Sequence, residues 1–192
     1  MCWQLPDEAQ LQDRVYKSSL MRHAFLFSCI ALLTLSFRSI GQDATPLKRT
    51  PYRLTVAVDK KTTYEEDIKG TAYVLPNNTI QLYPGETVYI EVKQVDGKIE
   101  TMTAVSEIRD SAITMTISFS QSVKKKVHEM TMLQVKNPFS NALVYKATIY
   151  LLKHRKWVDT DVYPVQAKLS AFEMWPDVIT SIGLGEWEFK TN

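Results

Sequence analysis

Two short basic runs carry the densest charge in the sequence. They are Lys124-Lys125-Lys126 and Lys153-His154-Arg155-Lys156, and each lies between segments with the alternation of a β-strand. If successive strands alternate in direction, both runs are turns at one end of the molecule, where they could hold an anionic glycan or a phosphate-bearing polymer. The alternative is a pair of solvated tips whose lysines prevent edge pairing. The main acidic residues are expected at the opposite end, namely Glu65-Glu66-Asp67, Glu86, Glu107 and Asp110.

The segment 172–176, Phe-Glu-Met-Trp-Pro, is a second candidate site. Ser170 and Glu173 have the spacing of a helical capping box, but the proline after Trp175 allows only a single turn. An exposed Trp175, with Tyr163 nearby, would offer a sugar ring a flat apolar surface. The alternative is that Trp175 closes the open end of a sandwich of sheets.

Familiar catalytic motifs are missing from the sequence. It contains no Gly-x-Ser-x-Gly, no His-Glu-x-x-His and no glycine-rich phosphate loop. Two histidines and no cysteine follow residue 41, which leaves few general bases near neutral pH. A pair of carboxylates could still hydrolyse a glycosidic bond, and Glu173 would be the first candidate. A small carbohydrate-active enzyme is therefore an alternative to a binding or structural domain.

A possible copper site is the spacing His128-x-Met130-x-Met132, because imidazole and thioether ligands suit copper. Methionines at every second position of a strand usually fill a core instead. We therefore predict no metal and no cofactor, and keep a periplasmic copper-handling protein as a further alternative.

The elements that would position these residues are strands. Apolar residues recur at every second position, and polar residues lie between them. One apolar and one polar face is the pattern of antiparallel sheets packed face to face. The apolar sets are Tyr52, Leu54, Val56 and Val58; Val88, Ile90 and Val92; Ile113, Met115, Ile117 and Phe119; and Leu143, Tyr145, Ala147, Ile149 and Leu151.

Turn signals separate these segments at intervals of roughly 8–14 residues, as in sandwich folds. The sequence 83–86, Tyr-Pro-Gly-Glu, predicts a type II turn, and Asp96-Gly97 predicts a two-residue hairpin. Further turns are predicted at 75–78, Leu-Pro-Asn-Asn, and at 137–140, Asn-Pro-Phe-Ser. The predicted fold is an all-β, immunoglobulin-like antiparallel β-sandwich of seven to nine strands.

The N-terminal part has the pattern of an export signal that starts at Met21. A basic Arg22-His23 pair, a mostly apolar run over 24–37 and small residues before Gln42 match a cleaved signal peptide. The apolar run is shorter than the roughly 20 residues of a spanning helix, so an uncleaved anchor is the less favoured alternative. Lipid attachment at Cys29 is another alternative.

The predicted organisation has four parts: a doubtful extension over 1–20, a signal peptide over 21–41, a short linker over 42–51 and one β-sandwich domain over 52–192. Cys2 and Cys29 both precede the cleavage site, so thiol catalysis and thiolate metal sites are excluded after it. The net charge of the whole chain is +2, which favours no nucleic-acid partner. We expect a periplasmic or secreted protein with no stable membrane span after cleavage, whose partner is an anionic glycan or envelope polymer, or another envelope protein.

The region 137–189 resembles a family of small exported bacterial domains of unknown function. The resemblance rests on Asn137-Pro138-Phe139, on Leu143-x-Tyr145-x-Ala147, on Pro164-Val165 and on the Phe-Glu-x-Trp-Pro segment at 172–176. The signal sequence is similar to those of Bacteroidetes-type bacteria. The resemblance implies an exported β-sandwich but no activity.

Overall fold

A computed structural model describes residues 47–190. The predicted extension, signal peptide and cleavage site therefore lie outside the described residues. The strands between Leu47 and Lys190 are β1 (Tyr52–Ala57), β2 (Thr63–Ile68), β3 (Val74–Leu75), β4 (Thr79–Leu82), β5 (Glu86–Val95), β6 (Lys98–Val105), β7 (Thr114–Lys124), β8 (Val127–Lys136), β9 (Ala142–Leu151), β10 (Lys156–Thr160), β11 (Ser170–Trp175) and β12 (Ile179–Lys190).

Ten of these strands form two five-stranded antiparallel sheets. Sheet I has the order β10-β9-β12-β4-β3, and sheet II has the order β11-β8-β7-β5-β6. The remaining pair, β1 and β2, forms a separate hairpin. The all-β sandwich is thus confirmed, and the described residues hold twelve strands where seven to nine were predicted.

The core lies between the inner faces of the two sheets. Strand β7 contributes Met115, Ile117 and Phe119, all fully buried. Tyr145 of β9 stacks on Trp187 of β12, with the ring centroids 4.6 Å apart. The period-two alternation predicts most of these buried positions correctly, although Ile113 is 37% exposed because it precedes β7.

The β1–β2 hairpin has its own small core of Leu54, Val56 and Ile68. The side-chain amide of Gln121, on β7, connects the hairpin to sheet II. It accepts a hydrogen bond from the Ala57 N–H (2.9 Å) and donates one to the Ala57 carbonyl (2.8 Å). The hairpin therefore lies against the end of β7.

The described end of the predicted linker, residues 47–51, is part of the fold. Lys48 bridges Ala72, and Arg49 is 2% exposed. A buried guanidinium that pairs with a carboxylate on β5 holds this segment in place.

The predicted turns at 75–78, 83–86 and 96–97 form, whereas 137–140 is a bend in which Oδ1 of Asn137 accepts the Phe139 N–H. Gly85 has φ +98°, and the Glu86 N–H donates to the Tyr83 carbonyl (3.1 Å), as a type II turn requires. Asp96 and Gly97 both have positive φ and connect β5 to β6. A single 3-10 turn covers Pro76–Asn78. Between residues 47 and 190 no helix is long and apolar enough to cross a membrane.

Candidate functional site

The two basic turns lie at the same end of the sandwich, on either side of the crossover 176–178 that leads from sheet II to sheet I. Nε2 of His128, just after the first turn, lies 3.1 Å from the Pro176 carbonyl. The N–H of Leu152, just before the second turn, donates to the Val178 carbonyl at 3.1 Å. The structure therefore brings together the residues that we call the basic end: Lys124, Lys125, Lys126, Lys153, Arg155 and Lys156.

The side chains of the basic end are free to meet a ligand. All six are exposed. Lys124 has one loose ion pair, with Glu129 at 3.9 Å. Within the described part of the chain, no carboxylate lies within 4.0 Å of the amino or guanidinium nitrogens of the other five. Five of the six positive charges of the basic end thus have no ion-pair partner among residues 47–190.

Three of these basic residues have left-handed backbone conformations. Lys125 has φ +51°, Lys126 has φ +67° and Arg155 has φ +50°. Two-residue hairpins with positive φ at both positions favour Asn-Gly or Asp-Gly, and the β5–β6 hairpin of this chain does use Asp96-Gly97. A side chain with a Cβ in this conformation costs about 1 kcal/mol relative to glycine. The β7–β8 turn therefore has lysines where its geometry favours other residues.

The expected separation of acidic from basic residues holds only in part, because Glu107 and Asp110 lie in the loop between β6 and β7, at the end of β7 away from Lys124. Glu86 is the first residue of β5, opposite Phe119 in the middle of β7, and it is buried against Arg49. On β2, Glu65 and Asp67 both bind Arg53, at 2.7 and 2.9 Å. The β1–β2 hairpin packs against β7 and joins neither large sheet. The alternation of strand direction therefore does not predict at which end of the sandwich its residues lie.

The 172–176 segment is part of a strand, β11, and not the helical turn that the capping-box spacing predicted. Pairing with β8 determines its conformation, with Phe172 opposite Gln134 and Met174 opposite Met132. Side chains alternate between exposed and half-buried along the strand, as sheet pairing requires. The sequence Ser-Ala-Phe-Glu-Met-Trp contains this alternation, which is the signal that should have outweighed the capping box.

The structure brings Trp175, Glu173 and Tyr163 to one edge of the sandwich. The half-buried Trp175 packs against the core and donates from Nε1 to Oγ1 of Thr160 at 3.1 Å. Oε1 of Glu173 accepts the Tyr163 N–H at 2.8 Å, and the Tyr163 side chain is 79% exposed. The indole therefore closes the space between β11 and the end of β10, in agreement with the alternative reading of Trp175.

One buried hydroxyl lies near this cluster. Oη of Tyr145 is buried and has no hydrogen-bond partner within the described part of the chain. Burial, with a smaller contribution from the charge of Glu173, holds the pKa of Tyr145 well above its usual range. The phenol therefore stays neutral and acts as part of the core.

The residues of the possible copper site do not converge. A register shift between Ser122 and Val123 places His128 opposite Val123 and Met130 opposite Ser122. Nδ1 of His128 lies 2.8 Å from Nε2 of Gln121, so both ring nitrogens have protein partners. Among residues 47–190 no three His, Cys, Asp or Glu side chains are placed to hold a metal ion together.

Sequence reasoning missed the buried ion pair of Arg49 and Glu86. Nε of Arg49 lies 2.9 Å from Oε1 of Glu86, and its other nitrogens donate to Oγ1 of Thr71 (2.6 Å) and to the Gln81 carbonyl (2.7 Å). The guanidinium also lies 4.5 Å from the centroid of the Tyr73 ring. No local pattern connects two charges 37 positions apart, so the sequence carries no signal for this pair.

Comparisons with protein-family models, with curated proteins and with solved structures find no match to this chain.

Proposed function

We propose that this chain is an exported, non-enzymatic binding domain of the bacterial envelope, and that it holds an anionic polymer at the basic end. The observation that carries the proposal is that two separate turns flank the same crossover, 176–178, and that their six basic side chains are exposed and largely without ion pairs. A dense patch of positive charge attracts a polyanion and raises the local concentration of that polymer. Carboxylate glycans and phosphate polymers share this chemistry.

The backbone of the turns supports the same proposal. Three of the basic residues occupy positions where a left-handed conformation favours glycine or asparagine. Turn formation does not require a basic residue at any of these strained positions. A binding role for the positive charge explains why both turns have basic residues there. The pattern of the N-terminal signal and the resemblance to exported bacterial domains support the location.

A thermal unfolding experiment tests the proposal. The exported protein, as purified from expressing bacteria, is heated with polyphosphate, with polygalacturonate or with neutral dextran. A ligand at 100 times its dissociation constant adds about 2.7 kcal/mol, which raises the midpoint by roughly 5–10 °C for a domain of this size. We expect this shift with at least one polyanion and none with dextran. The polymer that gives the larger shift distinguishes phosphate from carboxylate.

Charge reversal at the basic end should abolish the shift. The variant Lys125→Glu with Arg155→Glu changes both turns, and its matched control, Lys98→Glu with Lys190→Glu, changes two exposed lysines at the opposite end. The control should keep the shift, because its two lysines lie away from the basic end. Both variants change the net charge by the same amount, so a difference between them reports position. Equal loss in both variants would mean that the polymer senses only the total charge, and the proposed site would be wrong.

A further inference from the structure

Strand β11 is an edge strand of sheet II, and its protection is limited to the inward-facing Glu173 and to Pro176 directly after it. Edge strands expose unpaired backbone groups, and natural proteins protect them with charge, proline or very short length. The other three edges use these devices. Strand β3 has only two residues, β6 carries the exposed Lys98 and Glu100, and β10 carries the exposed Lys156 and Asp159.

By contrast, β11 has six residues and no charged residue on its exposed face. Its single ionisable residue, Glu173, is half-buried and accepts the Tyr163 N–H. Its backbone bonds only to β8 among the described residues. Two of its three outward side chains are apolar, with Phe172 61% exposed and Met174 59% exposed, and Leu169 just before the strand is 58% exposed.

The apolar surface continues from β11 onto β8 but not beyond it. Met174 lies opposite Met132, and Met130 is the next outward residue of β8. On β7 the outward residues opposite these methionines are Ser120 and Ser122. Apolar exposure is thus concentrated at this one edge of sheet II, where a further strand would extend the sheet and cover it.

We propose that β11 pairs with β11 of a second copy of this chain, antiparallel, with the two-fold axis at Phe172. This register places Phe172 opposite Phe172, Ala171 opposite Glu173 and Ser170 opposite Met174. Aromatic pairs opposite one another stabilise such a contact, and no like charges meet. Shifting the axis to Glu173 would place two carboxylates opposite each other, which disfavours that register. The inference does not depend on the ligand of the basic end.

Analytical ultracentrifugation of the exported protein tests the pairing. We expect a dimer at micromolar concentration. Phe172→Lys should raise the dimer dissociation constant about a hundredfold, because each copy then places an ammonium opposite the other. Its matched control is Thr101→Lys, at an exposed position on the opposite edge strand, β6, and this variant should remain dimeric.

Disulfide trapping tests the register. Phe172→Cys should form a disulfide-linked dimer in air, because the two residues 172 face each other across the axis. Ser170→Cys lies on the same exposed face but opposite Met174, so it should stay unlinked. A monomer at every concentration would overturn the proposal and favour a strand from another protein. A dimer that Phe172→Lys leaves intact, or equal linking by both cysteines, would also overturn it.

Discussion

Replacing Arg49 by methionine is expected to lower the free energy of unfolding by about 3–5 kcal/mol, the typical cost of removing one partner of a buried ion pair. The guanidinium is the main partner of the buried Glu86 carboxylate, which also accepts hydrogen bonds from the Tyr52 hydroxyl (3.2 Å) and from the Tyr83 N–H (2.9 Å). Without Arg49 the carboxylate remains buried with two neutral donors. The loss should be visible in urea unfolding followed by tryptophan fluorescence.

Two variants decide whether the buried charge causes this loss. Arg53→Met removes an exposed arginine that also pairs with carboxylates, and it should cost less than about 1 kcal/mol. Arg49→Met with Glu86→Leu removes both buried charges and should regain most of the lost stability. If the double variant is as unstable as Arg49→Met alone, the stability comes from the other contacts of Arg49 and not from its charge.

The second large effect is expected at Asn137, between β8 and β9. This residue is 1% exposed, and its Nδ2 donates to the carbonyls of Asn141 (2.9 Å), Val165 (3.0 Å) and Gln166 (3.2 Å). Its Oδ1 accepts the Phe139 N–H at 2.8 Å. Asn137→Asp would direct a carboxylate at three carbonyl oxygens, and we expect a loss of about 3–5 kcal/mol at neutral pH.

The matched control is Asn141→Asp, which makes the same chemical change at an exposed side chain in the same turn. It should change the free energy of unfolding by no more than about 0.5 kcal/mol. Thermal unfolding of the two variants at neutral pH makes the comparison. Equal midpoints would show that the Asn137 side chain does not hold the 165–169 segment to this turn.

The argument from alternating strand direction placed the two basic turns at one end correctly, although the predicted number of strands was too low. Only β8 and β9 separate the two turns, and both segments were predicted to be strands. The same argument does not apply to Glu65, Glu66 and Asp67, because the β1–β2 hairpin that carries them does not join either large sheet. Local periodicity therefore predicts strands well, but it does not predict which sheet a strand joins.

Other features depended on contacts that the sequence does not encode locally. The capping-box spacing of Ser170 and Glu173 competed with pairing to β8, and pairing determined the structure. The register shift near Ser122 separated His128 from Met130, and a bulge of this kind has no sequence signature here. The sequence also does not predict that β11 is an edge strand, so its exposed apolar face could be identified only from the structure.

The central claim is that the basic end keeps its charge for binding, at a cost to turn stability. The most direct test is the variant Lys125→Asn with Lys126→Gly, which gives the β7–β8 turn the residues that its backbone favours. Its thermal midpoint without ligand and its affinity for polyphosphate are measured beside those of the unchanged protein. We predict a midpoint higher by a few degrees, corresponding to about 1 kcal/mol, together with a clear loss of affinity. A variant that is stabilised and still binds polyphosphate as tightly would contradict the claim.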